Sequence, residues 1–231
     1  MKATDEITGC YGKKYHGEKA CIALTSWTAR ISTCGKTIYN LYETCPGFHI
    51  VLTLAEEEFP GKERSLPNDL ITMADCGIFE ILWVKHNWKA MKKVLFCMAK
   101  YPSIPTISAD DDCLYTCNYA EQLYDIWLKS PHSIISCETH SANSFIYCRG
   151  PGVLYYPCCF KCYGIEWLQK IHNFSNDDAY ISALIKKLAI HVIDGNMPLD
   201  TIIVFHDTIM PSSTIYKYSR NDIKLYYNML V

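Results

Sequence analysis

The 231-residue sequence has no apolar run approaching the roughly 20 residues needed to span a bilayer. Its opening, Met1-Lys-Ala-Thr-Asp-Glu6, also lacks the basic-then-apolar start of a secretory signal. The expectation is a cytoplasmic protein without a transmembrane segment, with contact at the inner face of a membrane allowed. Strong charge of one sign is missing too. A formal net charge of −2 gives no reason to expect a nucleic-acid surface or whole-protein attraction to anionic lipid. Beside Cys158-Cys159-Phe160-Lys161-Cys162 there is no second CxxC, so a four-ligand zinc site has only half its ligands. Internal repeats, low-complexity segments and linkers are absent. That favours a single domain over residues 19–231, preceded by a loose polar extension over 1–18.

Cysteine, by contrast, is abundant. The thirteen are odd in number, and Cys21, Cys97, Cys137 and Cys148 sit inside apolar runs, where a reduced cysteine behaves as a small hydrophobe. A disulfide framework is therefore not expected.

The first half alternates apolar runs with helical spacing. Strands are predicted at Ala20–Thr25, Phe48–Leu54, Phe79–Val84 and Ile104–Ile107, with helices at Thr37–Tyr42, Leu66–Ala74 and Trp88–Tyr101. This order implies an α/β fold with a mostly parallel central sheet covered by helices. The second half is less regular. Helices are predicted at Tyr119–Leu128 and Asp178–Leu188, and strands at Ser133–Cys137, Phe145–Cys148, Val153–Tyr156 and Ile202–Phe205.

Asp110-Asp111-Asp112 would leave the sheet at the end of the Ile104–Ile107 strand. Ligands of open α/β sheets bind at such carboxyl ends. Three adjacent carboxylates repel one another, and a hard divalent cation with oxygen ligands would relieve that repulsion; an acidic turn capping the next helix is the plainer alternative. Further along lie Gly150-Pro-Gly152, Asn176-Asp177-Asp178 at a helix start, and His206 at a strand end. The Thr25–Arg30 loop follows the first strand, and Lys92-Lys93 precede the aspartates. Thr25 can hydrogen-bond a base or ribose, and Arg30 can pair with phosphate or fix its loop. Trp27 is either a stacking platform or ordinary packing.

In this order the features resemble a glycosyltransferase of the GT-A, Rossmann-like nucleotide-binding fold, with an irregular acceptor-side second half. The resemblance extends to small bacterial and phage-type glycosyltransferase-like proteins, through Ala23-Leu-Thr-Ser26, Lys92-Lys93 before Tyr101-Pro102, and Gly152-Val-Leu-Tyr155, and covers about residues 20 to 206. The chain departs from it at Arg149 and Pro151, where relatives carry a longer glycine run. The resemblance implies transfer of a sugar from a nucleotide-sugar donor, expected to be UDP-linked, to a saccharide or lipid-linked acceptor in cell-surface polysaccharide or glycan assembly. Mn2+ or Mg2+ would be held by Asp112, with Asp110 on ribose, donor sugar or metal, Asp111 aiding either, and His206 or Asp207 completing the set. One of Lys92 and Lys93 would reach the donor, the other being solvated. Gly150 and Gly152 would let backbone approach the sugar or acceptor, and Asp178, or Asp177 one residue earlier, would serve as the base. Two rival readings are a non-catalytic sugar-nucleotide or glycan-binding protein of the same fold, and a metal-dependent phosphohydrolase. Phosphohydrolases with an aspartyl nucleophile carry it after the first strand, where this chain has Thr25-Ser26-Trp27.

Overall fold

The structure is a computed structural model that describes residues 2–116, 118–142, 145–148, 150–160, 177–205 and 227–228. Four strands build its centre: β2 (Cys21–Thr25), β3 (His49–Ala55), β4 (Glu80–Val84) and β5 (Thr106–Ser108). Their residues are almost entirely buried, as expected of parallel strands covered on both faces. The order β4-β3-β2-β5 is parallel throughout. After β4 the chain therefore crosses back over β2, and the connections leave in opposite directions on either side of the β2/β5 gap. That reversal opens a crevice beyond the carboxyl ends of β2 and β5.

The sheet continues through β10 (Val153–Tyr155), antiparallel to both neighbours, then β7 (Ser133–Ser136) and β11 (His191–Asp194), the last pair parallel. At the other edge lies β1 (Ile7–Gly12), antiparallel to β4. The expected loose extension over 1–18 is thus corrected: Ile-Thr-Gly-Cys-Tyr-Gly alternates in exposure rather than in plain hydrophobicity, the pattern of an edge strand covered on one face. Two ribbons stand outside the sheet, β6 (Cys113–Tyr115) with β12 (Ile202–Val204), and β8 (Thr139–Ala142) with β9 (Phe145–Cys148).

Helices cover both faces. On one, α1 (Ile31–Thr44), α2 (Asn68–Asp75) and α4 (Tyr119–Lys129) set Cys34, Ile38, Leu41, Leu70, Ala120 and Leu123 against Ile22, Leu52, Ile81 and Ile107. On the other, α3 (Lys92–Lys100) and α5 (Asp177–Lys187) bury Val94, Phe96, Ala183 and Leu184 against Ala23, Val51, Leu82 and Val153. The alternation of apolar side chains along each strand divides them between these two cores. The result is a three-layer α/β/α fold with a mixed, mostly parallel eight-stranded sheet.

Candidate active site

The loop that carries the three aspartates is clamped from below. α1 begins just after β2 and runs beneath it, where the Thr37 hydroxyl lies 3.1 Å from the Asp111 carbonyl and 2.8 Å from that of Cys113. One turn on, Asn40 meets Tyr115 as a neighbouring strand would: its Oδ1 accepts the backbone N–H at 2.6 Å and its amide donates to the carbonyl at 3.2 Å. The Tyr115 hydroxyl in turn accepts the Asp110 N–H at 2.7 Å. From the far end of the chain, Phe205 N–H reaches the Asp112 carbonyl at 3.0 Å, extending the β6–β12 ribbon to the acidic loop. Backbone demands are thus met locally, which leaves the carboxylates to other partners.

Asp111 is the buried hub. Its Oδ2 accepts the Ser26 hydroxyl at 2.5 Å, and Arg30 Nη2 lies 2.5 Å from Oδ1 as a charge contact rather than an aligned hydrogen bond. Burial pushes its carboxyl above the usual aspartate range, while Arg30 and Ser26 pull the other way. Arg30 also donates from Nη1 to Asp112 Oδ2 at 2.7 Å, so one guanidinium bridges two aspartates. Asp110 has its own cation: Lys93 Nζ lies 2.6 Å from its Oδ1 and 3.5 Å from Asp177 Oδ2. Burial opposes the charge on Lys93, but Asp110, Asp177 and Asp178 outweigh it and raise its pKa.

Asp177 and Asp178 open α5, where the helix dipole favours negative charge. Asp178 nevertheless has its carboxyl pushed well above the ordinary range, first by burial and then by Asp177, with Lys93 opposing. It packs on Gly150, whose missing Cβ would stand 3.0 Å from Asp178 Oδ1 and 3.1 Å from Oδ2. The Gly150 carbonyl accepts the Ser108 hydroxyl at 2.7 Å, which ties this contact to the end of β5. Asp110, Asp111, Asp112, Asp177, Asp178, Arg30, Lys93 and Gly150 therefore gather at the crevice. The cluster sets five carboxyl groups against two cations, so even with Asp178 neutral the acidic groups outnumber Arg30 and Lys93.

Other expected site residues have different placements. The Thr25 hydroxyl donates to the Thr53 carbonyl at 2.7 Å, joining the ends of β2 and β3. Lys92 is not solvated; it is buried and paired with Glu58 at 3.0 Å and Asn87 at 3.1 Å, and burial lowers its pKa against the pull of Glu58. Adjacent helix positions point about 100° apart, so one lysine meets the aspartates and the other the loop after β3. Gly152 has φ +84°, and the space its Cβ would take is filled by Cys137 Sγ at 2.6 Å and Ile202 Cδ1 at 2.7 Å. It is a packing position between β10, β7 and β12. Trp27 is exposed at the mouth of the β2 loop. His206 and Asp207, together with Arg149, Cys162 and Asn176, lie outside the described residues. Thr37, Asn40 and Glu58 carry no sequence signal, since single Thr, Asn and Glu residues are common in loops and helices alike, and Ser26 stands in the Leu-Thr-Ser stretch without any sign of its Asp111 partner.

Ligand atoms of Asp110, Asp112 and Cys113 lie within 4.8 Å of one another. The two carboxylates suit a hard cation such as Mn2+ or Mg2+. Cys113 suits it poorly, because burial pushes its thiol pKa up and keeps the proton on sulfur.

No protein-family model matches the sequence, and no curated protein matches it. Among solved structures 134 chains match. One is a mannosyltransferase from Pyrobaculum calidifontis in complex with GDP-Man and Mn2+, with a TM-score of 0.50 at 11% identity. The match covers 94% of this chain and 65% of that one, so this chain spans under two thirds of the neighbour's length. At that identity the likeness concerns the fold.

Proposed function

We propose that the chain is a metal-dependent glycosyltransferase that moves a sugar from a nucleoside-diphosphate sugar to a saccharide or lipid-linked acceptor in cell-surface glycan assembly. One observation carries the reading: five aspartates from two distant segments converge at the switch point of a parallel sheet, with more negative charge than Arg30 and Lys93 balance. The neighbour's GDP-Man and Mn2+ supply a precedent on this fold. Asp112 and Asp110 would hold the cation, whose chemistry is to offset charge growing on the departing nucleoside diphosphate.

The remaining steps belong to the chain's own side chains. Arg30 orients Asp112 from one side while Asp111, itself held by the Ser26 hydroxyl, keeps Arg30 in place. Lys93 brings positive charge between Asp110 and Asp177. In an inverting transfer Asp178 Oδ accepts the proton of the acceptor hydroxyl as that oxygen attacks the anomeric carbon. A carboxylate with a raised pKa is a stronger base than an ordinary one, which suits this task. Gly150 leaves Asp178 its position, because any side chain there would press on the carboxylate.

The test is release of nucleoside diphosphate from a panel of UDP- and GDP-sugars with Mn2+, and again with chelator. Metal-dependent release from one donor, lost in Asp112→Ala, is the expected result. Donor binding without turnover in the presence of saccharide acceptors would overturn the catalytic reading in favour of a binding protein. Release of inorganic phosphate from phosphate esters would do so in favour of a phosphohydrolase.

A further inference from the structure

Lys93 stands apart from the other cations around the crevice. Arg30 remains partly open to solvent, whereas Lys93 is almost fully buried, with its ammonium between Asp110 and Asp177. Those two aspartates come from different parts of the chain, the loop after β5 and the first turn of α5, and Lys93 is the contact that joins them. Asp110 is also one of the two carboxylates suited to a divalent cation. Its Oδ1 cannot serve a cation fully while it accepts the Lys93 ammonium at 2.6 Å. Two positive centres so close repel, and a lysine head on a four-carbon stem is free to move where an arginine fork is not.

We propose that Lys93 is a resident counter-cation: it holds Asp110 and Asp177 together before loading, and shifts from Asp110 to the incoming diphosphate once a divalent cation takes Asp110. The inference rests on the glycosyltransferase reading, since that reading supplies both the cation and the diphosphate. It makes Lys93 a positioning residue whose charge opposes metal binding alone and favours metal with nucleotide together. A purely structural lysine would lower both affinities when removed, through loss of the fold around it.

The experiment compares wild type, Lys93→Met and Lys93→Arg for Mn2+ binding by calorimetry. Binding of UDP and of GDP at saturating Mn2+ is then measured for each protein. Lys93→Met is expected to bind Mn2+ alone at least about tenfold more tightly than wild type, because repulsion between a single and a double charge ~6 Å apart represents that factor in bulk water and more around a buried ammonium. It should also bind the preferred diphosphate about tenfold more weakly, while Lys93→Arg keeps the wild-type order of both affinities. If Lys93→Met does not fold, judged by circular dichroism, Lys93→Gln replaces it with the same expectations. Equal or weaker Mn2+ binding in the folded neutral variant overturns the inference and leaves the glycosyltransferase reading standing. Absence of Mn2+ binding to the wild-type protein even in the presence of UDP or GDP overturns both.

Discussion

Gly150 and Gly152 differ by two positions and are expected to fail in opposite ways when each becomes alanine. At Gly152 the backbone is left-handed, with φ +84°, which strains an L-residue by about 1–2 kcal/mol. The new methyl group would also stand 2.6 Å from Cys137 Sγ and 2.7 Å from Ile202 Cδ1, both in the packed seam between β7, β10 and β12. Overpacking of this kind adds roughly 1–3 kcal/mol, so Gly152→Ala should lose about 2–5 kcal/mol of stability. Against a typical total of about 5–15 kcal/mol, that is a large fraction. At Gly150 the new atom meets the oxygens of Asp178 at 3.0 and 3.1 Å, a contact that a small carboxylate movement relieves. Stability should change by less than about 1 kcal/mol, while turnover falls on the order of 10- to 100-fold because the base moves off its line of attack. Urea unfolding read by circular dichroism gives the first quantity and single-donor turnover the second. A Gly152→Ala midpoint within error of wild type, or a Gly150→Ala enzyme with full turnover, would show that the two glycines do not divide packing from chemistry in this way.

Three further outcomes are expected. Asp178→Asn should lower turnover by about 10²–10⁴-fold, the usual contribution of a positioned base. Because the folded-state pKa of Asp178 is raised, the stability it contributes is complete below the ordinary aspartate pKa and is lost as pH rises through the raised value. Asp178→Asn should therefore melt above wild type at neutral pH, and the gap should close in acid; a variant that melts lower at pH 7 would contradict this. Asn40→Ala leaves the Tyr115 N–H and carbonyl without their amide partner, which should reduce stability by about 1–3 kcal/mol and weaken Mn2+ binding, measured by urea unfolding and calorimetry. Glu80 is a buried carboxylate held below its usual pKa: burial works against its charge, and hydrogen bonds from His49, Lys100 and Tyr101 outweigh it. Glu80→Gln should cost about 3–5 kcal/mol at neutral pH. Since a lowered carboxylate pKa stabilises above the unfolded value, that difference should fade as pH falls below ~4.

What could be read ahead of the structure follows from the length and apolarity of each segment. The runs Cys21–Thr25, His49–Ala55 and Glu80–Val84 announce buried strands because each is nearly all apolar, and their order announces the parallel sheet. β1 is hidden in the sequence because Gly9 and Gly12 interrupt it, and β6 because three residues after an acidic triplet carry no period. The spacing predicts a helix only over Thr37–Tyr42, yet α1 starts at Ile31. Its first turns hold Ser32, Thr33, Cys34 and Gly35, which are poor helix formers that tertiary packing overrides. At the site, the aspartates were legible as clustered charge. Which lysine meets them was not, because neighbouring helix positions diverge in direction while looking identical in sequence. Nor did a sequence pattern indicate that Thr25 turns to Thr53 or that Ser26 turns to Asp111.

The pairing of β12 with β6 also gives the site an order of birth. Strands β2 to β5 and their helices are complete by residue 108 and can pack as soon as that length has left the ribosome. The hydrogen bond that steadies Asp112 needs Phe205, nearly a hundred residues later. A growing chain would thus carry a formed sheet whose acidic loop lacks its last brace, and divalent cations in the cell would meet that loop before it is set. Readiness for chemistry comes late in synthesis, well after the architecture that bears it.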